Sequence, residues 1–219
     1  MYYRSIPLLV VGSLLSGAVV VDRIAVIVGR RIVKTSDIER DLRVSSFLNH
    51  QPLDQSPEAR RKAAERLIDQ ELVRQELLAG QYAAPTGQDV TGFVDQLKRD
   101  RFGGSDARFR TELARYHLNE DQLKRQLLWQ LTVLRFIDQR FRPGVLVTDE
   151  DVAAYYRDHR AELQKAYPQN NSLEALTPKI RETLTGEHIN QAFEEWLAET
   201  RRAARIEYRE QAFSAGASQ

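Results

Sequence analysis

Apolar residues recur at helical spacing along most of this chain. In "PEARRKAAERLIDQELVRQELLAG", Ala63, Ala64, Leu67, Ile68, Leu72 and Leu78 fall near one stripe, the three-to-four period of an amphipathic helix. Ser56 ahead of Pro57 supplies its start and Gly80 its end, since proline is tolerated where its missing N–H would be unpaired anyway. Upstream, "SDIERDLRVSSFLNH" places Ser36 and Glu39 as a capping box, with Ile38 and Leu42 on the inner face and "QPLDQ" as the closing loop. Downstream, about Gln88 to Phe102 carries Val90, Phe93, Val94 and Leu97 on one face and stops at Gly103 and Gly104. Ser105 then opens a fourth helix with Phe109, Leu113 and Tyr116.

The fifth helical stretch differs in kind. Asn119 with Gln122 caps "EDQLKRQLLWQLTVLRFIDQRF", where Leu127, Leu128, Trp129, Leu131, Val133, Leu134, Phe136 and Ile137 cover most of the circumference. A helix apolar nearly all round is expected to be surrounded. That makes it the central spine of a helical core, with Leu131→Ala costing about 2 to 5 kcal/mol through the cavity left behind. Pro143 and Gly144 end the spine and "VLV" is a short extended piece. Thr148 with Asp149, Glu150 and Asp151 opens a sixth helix carrying Val152, Tyr155, Tyr156 and Leu163, its acidic first turn suiting the helix dipole. "QKAYPQNN" has the composition of a loop. Thr177 and Pro178 open the last helix, with Gly186 as a point of bending and Ile189, Phe193, Trp196 and Leu197 as its inner stripe.

Strand signals stand at the two ends. "RIAVIVGRRIVKT" sets two β-branched runs around Gly29 and reads as a hairpin over Ile24 to Val33. A β-branched residue resists positive φ, so Val28 excludes the usual type I′ turn and leaves Gly29 alone in the left-handed region. The closing "RIEY" is a short strand and the partner expected for that hairpin. The fold class is therefore mainly α, a multi-helix core with a small N-terminal β-hairpin pairing with a C-terminal strand.

Composition narrows the chemistry. With 42% hydrophobic and 29% charged residues the chain is neither disordered nor membrane-embedded in bulk, and 32 Lys and Arg nearly balance 31 Asp and Glu. The basic residues are interleaved with acids, which argues against a nucleic-acid surface. The chain has no cysteine, which excludes disulfides, thiolate metal sites, a thiol nucleophile and a lipid-modified N-terminal cysteine. Arg4, then the 16-residue apolar stretch Ile6 to Val21 with Ser16 and Ala18, has the form of an export signal cleaved after Ala18. The alternative is an uncleaved anchor, although the stretch falls short of the ~20 residues that span a bilayer.

No phosphate-binding glycine loop, no G-x-S-x-G elbow and no H-E-x-x-H motif occurs. The four histidines, His50, His117, His159 and His188, are too far apart in sequence for a His-rich metal site. His159 with Glu162 could ligate a metal from one helix face, but a solvated surface explains them more simply. A helix-end histidine does the same for Glu187 and His188, and helix-start acids for Asp149 to Asp151. No catalytic constellation, cofactor site or metal site is assigned. Trp129, Tyr155, Tyr156 and Trp196 are core aromatics or, if they line an open groove, contacts for apolar peptide segments.

The order of these pieces resembles the SurA-type periplasmic chaperones. In that family a mature N-terminus of the form "VDRIVAVVN-G-x-V-I-x-x-S-D-L" precedes a helical core. A segment of the form "V-T-D-E-E-I-x-x-Y-Y", one or two parvulin prolyl-isomerase domains, and a closing helix and strand follow. Here "VDRIAVIVGRRIVKTSDIERDL", "VLVTDEDVAAYYRDHRAEL" and "KIRETLTGEHINQAFEEWLAETRRAARIEY" match the first, second and last of these. Two departures stand out. Val28 occupies the usual place of Asn, and "QKAYPQNNS" stands where a whole parvulin domain would be. The residues themselves give a signal peptide at 1–18 and, from its Ser, Ala and Gly content, a disordered tail at 211–219. The resemblance implies an N-terminal helical chaperone domain with the hairpin at 19–163, the loop of the missing domain at 164–172, and a completing helix and strand at 173–210.

The function implied is an exported, periplasmic, ATP-independent chaperone that binds unfolded outer-membrane or secreted polypeptides in an apolar groove, without isomerase activity. No nucleic acid and no stable membrane insertion after leader cleavage are expected, and a homo-oligomer is open. The alternatives are an assembly subunit with one dedicated partner, and a prolyl isomerase with a degenerate catalytic domain. Which residues bind a client is not assigned.

Overall fold

The computed structural model describes residues 22–213. The expected leader at 1–18 and the part of the expected tail from 214 onward lie outside the described residues. The elements run β1 (Ile24–Val28), β2 (Arg31–Lys34), α1 (Thr35–Asn49), α2 (Pro57–Ala79), α3 (Gly87–Phe102), α4 (Asp106–Arg115) and α5 (Glu120–Phe141). They continue through α6 (Asp149–Asp158), α7 (Arg160–Ala166), α8 (Leu173–Ala203) and β3 (Ile206–Tyr208). The protein is thus mainly helical, with its N-terminal strands and its last strand in one small sheet.

That sheet is antiparallel in the order β2-β1-β3. Val28 faces Arg31 across the two-residue turn of the hairpin. Gly29 takes φ +59° there and Arg30, the other turn residue, does not have positive φ, so the turn is not of type I′; Val28 itself lies in β1 and not at a central turn position. On the other side Val26, Ile27 and Val28 pair with Tyr208, Glu207 and Ile206, and Arg209 N donates to Ala25 O at 2.8 Å. One core lies beneath this sheet, where Val26, Val28 and Val33 meet Ile38 and Leu42 of α1 and Ala63, Ala64, Ile68 and Leu72 of α2. The expected tail is corrected here: Ala212 and Phe213 are 3% and 4% exposed and belong to this core. Burial of the Phe213 ring holds residues 212–213 against the sheet, where the small polar composition of the segment suggested freedom.

A second core joins Val44 and Phe47 at the far end of α1 to Val94 of α3, Phe109 and Leu113 of α4, and Leu123 and Leu127 of α5. A third packs Val147 and Val152 against Leu176, Ile180 and Leu184. Between α5 and α8 lies an aromatic cluster in which Phe136 meets Trp196 with ring centroids 5.5 Å apart and Phe141 meets Phe193 at 5.9 Å.

Local details differ from the expectations in ways tertiary contacts explain. Helix α1 starts one residue before Ser36, directly from β2, because the Thr35 N–H donates to Arg23 O at 2.8 Å. Asp37, instead of Glu39, accepts from the Lys34 N–H at 3.1 Å, and Ser36 Oγ donates to Asp22 at 2.6 Å. The single sixth helix is two, α6 and α7, broken at His159, whose ring Nδ1 lies 3.0 Å from Tyr155 O. Helix α7 runs to Ala166, so the loop expected at 164–172 shortens to 167–172, pinned by Tyr156 Oη donating to Asn171 O at 2.7 Å. Helix α8 starts at Leu173, capped by Ser172, and carries Pro178 within it. Burial of Leu176 and Ile180 draws the helix N-terminally, and Gly186 neither interrupts it nor ends it.

The largest correction concerns α5. Its fully buried residues are Leu123, Leu127 and Phe136 alone, and Leu134 is 62% exposed. Among the described residues neighbouring elements cover only part of its circumference, so the spine has an open side. Leu78 and Phe93, expected on inner stripes, are likewise 68% and 50% exposed.

Candidate functional site

The open side of α5 forms one wall of a groove of about 780 Å³. The opposite wall is β2 and the floor is built from α1 and α2. Among the described residues strand β2 is an edge strand, since the sheet order places none beyond it. Its alternation follows from the short turn: Val33 points into the core and is 6% exposed, while Ile32 is 46% exposed at the groove. From α5, Leu128 and Trp129 line the groove as partly buried apolar groups. The Trp129 ring lies beneath the Arg74 guanidinium at 4.4 Å, a cation–π contact that orients both.

Electrostatically the groove is arginine-rich. Arg30, Arg31, Arg40, Arg74 and Arg125 line it against Asp37, Asp41 and Glu71. Glu71 sits on the floor, 14% exposed, with Arg31 Nε at 3.6 Å and Arg74 Nε at 3.4 Å. Its Oε1 accepts no hydrogen bond from the described residues. Asp37 is taken by Arg40 at 3.0 Å, and Asp41 by Arg66, whose Nε donates to it at 3.1 Å. Burial pushes the Asp41 carboxyl above the ordinary carboxylate range, against the pull of Arg66. No acidic partner stands against Arg30 or Arg125 among the described residues. The chemistry available is recognition: apolar surface, an unpaired strand edge and positive charge.

The residues singled out by sequence do not converge. Among the described residues no group of three or more His, Asp or Glu is placed to hold a metal ion. His159 stacks on Tyr155 with centroids 4.1 Å apart, and Glu162 lies exposed on α7. Asp151 accepts from the Thr148 N–H at 2.9 Å, which lowers its pKa, and Asp149 pairs with Arg181 at 2.5 Å. Both are thus occupied by helix-start and interhelical contacts. Of the four aromatics Trp129 alone lines the groove; Trp196 belongs to the aromatic cluster, and Tyr155 and Tyr156 pack against the third core. The arginines were not distinguished in sequence, because each stands among acids on its own element. The one local signal was the adjacent pair Arg30 and Arg31 at the hairpin tip.

No protein-family model matches this chain, and no curated protein matches it.

Proposed function

We propose that this chain is the core module of an exported, ATP-independent holding chaperone similar to the SurA-type family, binding unfolded outer-membrane or secreted polypeptides without isomerising them. The observation that carries this reading is the groove between β2 and α5, open, partly apolar and bordered by a strand edge that is unpaired among the described residues. Its volume lies in the range of cavities that enclose ligands, about 300–1,000 Å³. The sheet joining both ends of the described chain supports the resemblance in block order. The short connection at 167–172 supports a reading without an isomerase domain. Among the described residues no helix is long and apolar enough to cross a membrane, and the compartment proposed, the periplasm, rests on the leader-like residues at 1–18.

Each client side chain fully buried in such a groove contributes about 1.5–3 kcal/mol, less the cost of ordering the client. Binding is then weak and reversible, and needs no nucleotide. The test is suppression of aggregation when a urea-unfolded outer-membrane β-barrel protein is diluted into buffer containing the purified protein. The expected outcome is stoichiometric delay of light scattering, lost in Trp129→Ala. Unaltered aggregation would refute the reading. Capture of a single stoichiometric partner in place of many clients would assign the groove to an assembly subunit.

A further inference from the structure

We infer that the groove takes its ligand as an added β-strand: an extended segment with acidic side chains alternating with apolar ones, hydrogen-bonded to the N–H and C=O of Ile32 on the outer edge of β2. This rests on the proposed polypeptide-binding reading and names the class of segment bound.

Three features of the groove select this occupant. Among the described residues strand β2 pairs on one side only, and Val28 opposite Arg31 closes the turn. In an antiparallel ladder the hydrogen-bonding direction alternates, so the N–H and C=O of Ile32 turn away from β1 toward the open edge. Natural sheet edges are shielded by proline, by a covering element or by charge. Here the basic residues are Arg30, Arg31 and Lys34; Arg31 is paired with Glu71 and Lys34 with Asp22 at 3.6 Å, which leaves the Arg30 charge at the hairpin tip uncompensated among the described residues. That charge disfavours a second copy of this edge and attracts an acidic strand.

The balance of charge inside the groove points the same way. Glu71 is shared between Arg31 and Arg74, Asp37 holds Arg40 and Asp41 holds Arg66. Arg30 and Arg125 are left without a carboxylate among the described residues, one at the tip of the hairpin and one on the facing helix. A strand laid on β2 runs between them. Side chains alternate along that strand, so carboxylates can reach these guanidiniums while apolar neighbours meet Leu128 and Trp129. A free phosphate would use the arginines but neither the strand edge nor the apolar wall.

The experiment uses the full chain and a fluorescent octapeptide alternating valine and glutamate, followed by anisotropy. Two peptide controls leave the protein untouched: one has lysine in place of glutamate, the other has alternate backbone amides N-methylated. Binding of the glutamate peptide is expected. The lysine peptide should bind at least about tenfold more weakly, and the N-methylated one about tenfold more weakly for the lost backbone bonds. The double variant Arg30→Glu with Arg125→Glu should invert the preference toward the lysine peptide. Equal binding of the N-methylated peptide would overturn strand addition, and equal binding of the lysine peptide would overturn the charge selection. Displacement by inorganic phosphate with no effect of N-methylation would reduce the groove to an anion site. If no peptide binds while client aggregation is still suppressed, the strand inference fails and the chaperone reading stands. If aggregation is also unaffected, both fail.

Discussion

Phe136→Ala tests whether α5 and α8 form one cooperative body. Phe136 is 1% exposed and its ring centroid lies 4.9 Å from Tyr82, 5.5 Å from Trp196 and 6.0 Å from Phe141. It therefore ties the connection after α2, and α5 itself, to the long C-terminal helix. Core Phe→Ala replacements cost about 3–5 kcal/mol, a figure that already contains the aromatic pairings of about 0.5–1.5 kcal/mol each. Trp196 and Phe141 are partly exposed and can relax into the space, so the lower end, about 3 kcal/mol, is expected. That is a large share of the roughly 5–15 kcal/mol typical of a folded protein. Urea denaturation followed by circular dichroism gives the value, as a shift of midpoint at constant slope. Phe136→Leu keeps most of the volume and should cost no more than about 1.5 kcal/mol. A loss below about 1 kcal/mol for Phe136→Ala would refute the reasoning, because the ring would then not bind the helices together.

The same packing sets the outcome of other perturbations. Phe213→Ala should destabilise by about 3 kcal/mol, and deletion of Arg205 to Tyr208, which removes β3, should lower the thermal midpoint of the whole protein; unchanged stability would disprove the closure of the sheet. Leu131→Ala should cost only about 1 kcal/mol and Leu134→Ala close to nothing, since the first is half-buried and the second 62% exposed. A carboxyl NMR titration should place the Asp41 midpoint above the ordinary value of about 3.9, and Arg66→Ala should raise it further. Because the folded value is the higher one, Asp41 favours the fold most at acid pH, and this contribution is lost as pH rises through that folded value; a midpoint below 3.9 would contradict the burial argument.

The local signals carried far. The starts of α2, α4 and α5 lie where Ser56, Ser105 and Asn119 predict them, each side chain accepting the backbone N–H three residues on. Gly103 and Gly104 end α3 with φ of +59° and +75°. Capping is a contact between residues three apart and is therefore readable in one dimension. The start of α1 was displaced because its first residues bond to Arg23 and Asp22 across the sheet. The start of α8 moved because Leu176 and Ile180 are needed to cover Val147 and Val152. Both are long-range contacts.

The groove shows the same division. Sequence alone determined a mainly helical chain, a hairpin turned at Gly29, a closing strand to pair with it, and a fifth helix apolar on nearly every side. Periodicity reports what each face of an element prefers, however, and not how many faces find a partner. The tertiary structure covered part of α5 and left Leu128, Trp129 and Leu134 partly or largely open. It also brought Arg30, Arg74 and Arg125 from three separate elements to one site. Such a convergence depends on how helices far apart in sequence pack against a sheet edge, which no local pattern encodes.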